Sequence, residues 1–155
     1  MIRKAQTNDI PVLIDLLYQV GKVHQDARPD LFVAGSKKYT EQEVDEILHN
    51  PKTPVFVFED GEGKVRGYAF CIFQQHLDSH ILTDIKTLYI DDLCVDQNCR
   101  HQHIGRQLYE YVCAFARENG CYNVTLNVWA DNASALRFYQ SLDLKVQKIG
   151  MEKIL

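Results

Sequence analysis

The sequence predicts an α/β fold: one domain built on a central, mixed, mostly antiparallel sheet flanked by about four helices. Three observations predict it. Val55–Glu59 and Val65–Gln74 read as strands, and Asp60-Gly61-Glu62-Gly63-Lys64 between them supplies hairpin chemistry. The strand-like run TLYIDDLCV (Thr87–Val95) is followed by a helical pattern over Ile104–Asn119 and then by alternating Val124, Leu126 and Val128, the order of a right-handed parallel crossover. The 155 residues, 46% hydrophobic and 25% charged, suit one domain over 1–155 with a core that needs no staples. Hairpins combined with a crossover imply a sandwich around a single sheet.

Each element follows from local pattern. Ile2–Ala5 is a short first strand. Ile10, Leu13, Ile14, Leu17 and Val20 recur at helical spacing, with Thr7 or Asn8 available as cap and Pro11 tolerated in a first turn. A polar loop is expected from Gly21 to Lys38. Thr40 and Glu43 form a capping box for a second helix carrying Val44, Ile47 and Leu48, with Pro51 beyond its end. Gly120 closes the helix that begins at Ile104. Asn132 opens a last helix carrying Leu136, Tyr139 and Leu142, and Leu144–Leu155 is expected to close the sheet in extended form. The order is β-α-α-β-β-β-α-β-α-β.

Composition excludes several classes. The net charge is −4, with Lys and Arg scattered rather than gathered on one stripe, which argues against nucleic acid as a partner. No apolar run reaches the 18 residues or so of a membrane span. The polar opening MIRKAQTND is not a signal peptide, so a cytoplasmic location is expected. Five cysteines (Cys71, Cys94, Cys99, Cys113, Cys121) match no zinc or redox spacing and read as reduced thiols. His101 and His103 form an HxH without acidic or thiol partners, so no metal site is expected.

Two segments carry chemistry. In the first, the strand ending at Val95 leads through a polar loop holding Arg100 to a helix beginning near Ile104-Gly105. The unpaired amides and dipole of a helix start favour a phosphate there, and Arg100 and Arg106 add charge, although an ordinary βα turn would read the same way. In the second, Asn132 and Tyr139 are two helical turns apart and share a face, which an N-cap followed by a core tyrosine would also explain.

Together these segments resemble motifs of the GCN5-related N-acetyltransferase (GNAT) superfamily. The loop Arg100-His101-Gln102-His103-Ile104-Gly105 is similar to that family's Arg/Gln-x-x-Gly-x-Gly/Ala phosphate loop, with His103 where glycine is usual. YIDDLCV resembles its central strand, and the NxxAxxFY run, from Asn132 to Tyr139, its second cofactor-contacting motif. The opening MIRKAQTNDIP and the closing MEKIL also match. Asp143-Leu144 replaces the usual Gly-Phe and the tail is short, so the last strands are expected to be abbreviated or merged.

The resemblance implies an acetyl-CoA-dependent N-acetyltransferase that moves the acetyl group to an amine by direct attack. It implies cofactor contacts from Leu93, Cys94, Val95, Arg100, His101, Gln102, His103, Ile104, Gly105, Arg106, Asn132, Ser134 and Tyr139. It makes Tyr139 the general acid and a backbone N–H near Leu93–Val95 the oxyanion donor. Asp91, ahead of Asp92, is the expected base. Successive strand residues point to opposite faces, so only one carboxylate can face the acceptor unless a bulge intervenes. His24, Arg28, Asp30 and Phe32 would line the acceptor side, or simply form a packed loop. Trp129 is expected in the core. The acceptor is a small-molecule amine or a protein amine, and a homodimer is an open option. Two other readings stand: a non-catalytic acyl-CoA-binding or regulatory module on the same fold, and a metal- or nucleotide-binding domain using the same βα turn.

Overall fold

The computed structural model describes residues 1–155. The elements are β1 (Ile2–Lys4), α1 (Ile10–Ala27), α2 (Glu41–Leu48), β2 (Val55–Glu59), β3 (Val65–Gln75), β4 (Lys86–Val95), α3 (Ile104–Glu118), β5 (Asn123–Leu126) and α4 (Ala133–Ser141). The sheet order is β1-β2-β3-β4-β5. All neighbours are antiparallel except β4 and β5, which run parallel through the α3 crossover. The expected mixed sheet and four helices are present, and no helix is long and apolar enough to cross a membrane.

Each face of the sheet buries its own core. Leu13, Ile14, Leu16 and Leu17 of α1 and Val44 of α2 pack on Val55, Val57, Tyr68 and Phe70. Ile104, Leu108, Val112 and Ala116 of α3 pack on Phe56, Ala69, Cys71, Leu88 and Ile90. These α3 residues recur at four-residue spacing, a stripe along one helix face. Strand alternation divides the sheet residues between the two cores.

Asp9, rather than Thr7 or Asn8, sets the entrance to α1. Its carboxylate takes both guanidinium Nη atoms of Arg3 at 2.8 and 3.0 Å and the Gln6 N–H at 2.7 Å. Arg3 Nε also donates to Glu59 at 2.7 Å, so one side chain ties β1, the α1 entrance and β2 together.

Three expectations change. First, α1 does not stop near Val20 but runs through Gly21 to Ala27. A Cβ on Gly21 would sit 2.3 Å from the Ser36 carbonyl oxygen, so glycine lets the returning loop cross the helix at contact distance. The usual cost of a mid-helix glycine, about 1 kcal/mol, is retained for that packing. Second, β5 ends at Leu126, short of Val128. Third, the closing segment, 144–155, forms no strand of the sheet. Asp143 turns the chain at φ +65, Gln147 and Lys148 lie beside Thr125, Leu126 and Asn127, and Glu152 meets Arg28 Nη1 at 2.6 Å.

Burial works to raise the Asp9 pKa, but the Arg3 and Gln6 hydrogen bonds outweigh it and hold the pKa below the usual carboxylate range. A pKa depressed on folding gives stability that is present above the unfolded value and lost as pH falls through the folded one. Asp9→Ala should therefore cost about 2 kcal/mol at neutral pH, less than a fully buried pair because Arg3 keeps Glu59. It should also flatten the acid limb of stability against pH, as read by urea unfolding between pH 2 and 7.

Candidate functional site

Between Phe70 and Cys71 of β3 the ladder with β4 slips: Phe70 faces Asp92, Cys71 faces Ile90, and Asp91 is left over. This is a β-bulge, two residues opposite one. Ile90 and Leu93 keep to the α3 side. Both carboxylates turn to the α1–α2 side. Asp91 accepts from the Tyr39 hydroxyl and, at 3.0 Å, from Lys38 Nζ. Asp92 accepts from the buried Tyr68 hydroxyl at 2.7 Å.

The bulge coincides with a parting of strands. The β4–β5 pairing ends at Ile90 opposite Leu126. From Asp92 to Val95, β4 is paired with β3 alone. The other edge of Leu93–Val95 thus offers backbone donors and acceptors to the wedge, as an added strand requires.

At the mouth of the wedge, Asp96 Oδ1 accepts the Asn98 N–H at 3.0 Å and shapes the turn after β4. His101 (φ 68) and His103 (φ 58) then adopt the left-handed conformation, and α3 begins at Ile104. That conformation explains the glycine usual at His103: a Cβ there costs about 1–2 kcal/mol. His103 gives α3 no side-chain cap, so the first-turn amides are left to other partners. Arg100, His101, Gln102 and His103 are all exposed. Gly105 is a packing residue: a Cβ there would meet Phe138 Cζ at 3.2 Å and Val95 Cγ2 at 3.6 Å. Arg106 points away and pairs with Glu110 at 3.0 Å on the solvent side of α3.

The Gly105–Phe138 contact brings α4 against this loop. Asn132 Oδ1 caps α4 by accepting the Ala135 N–H at 3.2 Å, and Ser134 is exposed in the first turn. Phe138 stacks edge-on to Tyr139 at 5.0 Å. Burial, then the Asp92 carboxylate nearby, pushes the Tyr139 hydroxyl well above the usual tyrosine range. Burial raises the Asp92 pKa as well, with Tyr68, Lys38 and His24 opposing it in part and Asp91 adding to it. Cys94, on the same face, is pushed up to about 12 by burial, with Asp92 adding, and stays a thiol, which removes it as a nucleophile.

Around the loop after α1 the structure joins residues that are distant in sequence. His24 stacks on Phe32 at 5.1 Å, and Phe32 meets Trp129 edge-on at 5.5 Å. Arg28 pairs with Asp30 and Glu152 beside them. Trp129 is therefore not core: it is 44% exposed and bridges from the end of β5 to the loop after α1. Sequence reasoning missed Lys38, Tyr39 and Tyr68, the partners of the two carboxylates. Tyr68 reads as an ordinary strand residue, and nothing local marks Tyr39 as reaching Asp91.

The geometry is one wedge between β4 and β5, with helix-start amides at one end and Tyr139, Asp92 and an aromatic bridge at the other. The chain matches the Acetyltransferase (GNAT) family model over residues 20–143. No curated protein matches it. Among solved structures, a mutant form of the BH1408 protein from Bacillus halodurans is 30% identical, with TM-score 0.95 over 100% of this chain and 99% of that one. An aminoglycoside acetyltransferase from an uncultured soil metagenomic sample, in complex with sisomicin, shares the fold at 23% identity, with TM-score 0.74 over 100% of this chain and 95% of that one. Glucosamine-6-phosphate N-acetyltransferase from Arabidopsis thaliana shares it at 23% identity, with TM-score 0.69 over 99% of this chain and 97% of that one. The match over most of the chain, on this wedge and its flanking helix starts, establishes that the chain belongs to the GNAT family.

Proposed function

We propose that this protein is a cytoplasmic N-acetyltransferase that takes its acetyl group from acetyl-CoA and passes it to a primary amine by direct attack. The observation that carries this reading is the wedge: β4 loses its partner where the α3 amides and the Tyr139 hydroxyl come within reach of one extended ligand. Amides from Ile104 to Arg106, with Arg100 beside them, would hold the pyrophosphate. The free edge of Leu93–Val95 would hold the pantetheine arm as an added strand. An N–H of that edge would meet the oxyanion, and fixing the amine beside the thioester supplies much of the rate. The five cysteines, all free, suit a reducing compartment.

Tyr139 is the proton donor in this reading. Its raised pKa keeps it protonated at neutral pH, and its hydroxyl is committed to no hydrogen bond of the chain. We place Asp92 ahead of Asp91 as the base. Lys38 and Tyr39 both hold Asp91, which leaves its carboxylate oxygens committed to those donors. Asp92 has one hydroxyl partner and a pKa raised by burial, closer to that of an efficient base. The half-buried aromatic bridge of His24, Phe32 and Trp129 and the carboxylates near it suit a small cationic amine, a class consistent with the aminoglycoside and amino-sugar enzymes that share the fold.

Tyr139→Phe should lower kcat by about 100-fold and leave the Kd for coenzyme A within a few-fold, measured by thiol release and calorimetry. Lost turnover with retained binding separates an enzyme from a non-catalytic acyl-CoA binder. Asp92→Asn should lower kcat by a similar factor and abolish the acid limb of kcat against pH. In the parent protein that limb should lie above the ordinary carboxylate range, because a raised pKa leaves Asp92 protonated to higher pH. His103→Gly should hold the loop without strain: we expect stability to be equal or higher, by about 1 kcal/mol, and coenzyme A to bind as before. His103→Val cannot hold φ 58 easily and should lower both.

A further inference from the structure

Lys38 is the one lysine whose ammonium bonds a residue of the wedge. Its Nζ donates to Asp91 Oδ1 and to the Asp91 carbonyl oxygen, each at 3.0 Å. That carbonyl belongs to the surplus residue of the bulge, which faces no residue of β3. Burial raises the Asp92 pKa and the Lys38 charge opposes that rise, so the ammonium acts on both carboxylates. Other lysines are bound elsewhere: Lys37 on the Tyr18 hydroxyl at 3.0 Å and Lys86 on the Asn119 carbonyl oxygen at 3.1 Å. Lys38 thus sets a primary amine beside the acidic pair, where the proposed acetyl acceptor must stand. Its side chain is 44% exposed and springs from irregular chain between α1 and α2. From Asp91 to Leu93, where the open edge begins, is about 7 Å of strand, a span that the flexible four-carbon stem of lysine covers by rotation.

Resting on the acetyltransferase reading above, we propose that Lys38 is a self-acetylation site: the chain transfers an acetyl group to its own Lys38 Nζ, within one molecule. The tether keeps this amine at the site at all times, and holding an amine beside a thioester supplies much of the rate. Asp91 is committed to this amine, so it is Asp91 that takes the first proton from Nζ. The bared nitrogen attacks the acetyl carbonyl, a carbon–nitrogen bond forms and the carbon–sulfur bond of the donor breaks. Tyr139 gives its proton to the leaving sulfur and recovers the second nitrogen proton. The third stays on the amide, and Asp91 passes its own to water. The modified side chain has one N–H and no charge. Asp91 then keeps the Tyr39 hydroxyl and loses its cation, and the amine that stood in the acceptor's place is gone.

The test is peptide mass spectrometry of the full chain after incubation with acetyl-CoA and no added amine. Acetylation adds about 42 Da and removes the charge that trypsin needs, so modified Lys38 stays at the head of an uncut peptide ending at Lys52. The expected result is occupancy at Lys38 approaching one acetyl per chain, well above the neighbouring Lys37, at a rate per chain that dilution does not change. Tyr139→Phe should slow the labelling of Lys38 by about 100-fold, as it slows turnover. Lys38→Arg keeps the ion pair and removes the acceptor. It should take no acetyl at this position, and coenzyme A binding within a few-fold of the parent, by calorimetry, would show that the variant is folded. A chain that acetylates an added amine but leaves Lys38 bare overturns the proposal and leaves the acetyltransferase reading standing. Labelling of Lys38 that rises with protein concentration also overturns it, since transfer is then between molecules. Equal labelling in Tyr139→Phe does so too, since the reaction is then uncatalysed. A chain that labels neither Lys38 nor any amine overturns the reading itself, and the proposal with it.

Discussion

One residue too many in β4 governs the rest of this structure. Opposite Phe70 and Cys71 the strand carries Ile90, Asp91 and Asp92 where two residues would fit. The surplus resets the alternation, so two consecutive carboxylates face the same side of the sheet. Two like charges so close would repel each other, and the body of the protein answers with Lys38 and Tyr39 for one and Tyr68 for the other. The bulge also lies where β4 and β5 part. The added twist of a bulged strand accounts for the parting, because the parallel ladder cannot follow it. The binding wedge and the acidic pair are thus two consequences of a single insertion.

The cost of such a site is carried by the packing around it. His101, His103 and Asp143 hold left-handed backbone with side chains other than glycine. Such conformations persist only where the surroundings over-determine them. Here the surroundings are glycines placed for contact: Gly105 against Phe138 and Val95, and Gly67, whose Cβ would come 2.8 Å from the Cys94 carbonyl oxygen. These close approaches lock α3 and α4 to the sheet and leave the loop between β4 and α3 little freedom. At the far edge Arg3, Asp9 and Glu59 do similar work with charge rather than shape.

What the sequence by itself determined was whatever depends on neighbours in the chain. Helical periodicity placed α3 and α4, alternation placed β2 to β4, and the Thr40–Glu43 box placed α2, because each is a local rule of backbone geometry and capping. The loop Arg100–Gly105 and the run from Asn132 to Tyr139 were legible only through their resemblance to two motifs of the family, since each alone also reads as an ordinary turn or cap. Tertiary structure decided what depends on contacts between distant segments. α1 runs on past Gly21, where the returning loop brings the Ser36 carbonyl to contact distance, and Trp129 lies against Phe32 rather than in the core. The bulge at Asp91 exists only in the register between β3 and β4, so no reading of YIDDLCV alone could say that both aspartates share a face. Residues 144–155, expected to close the sheet as a strand, pair with none of its strands, since pairing needs an edge in the right place as well as a suitable sequence.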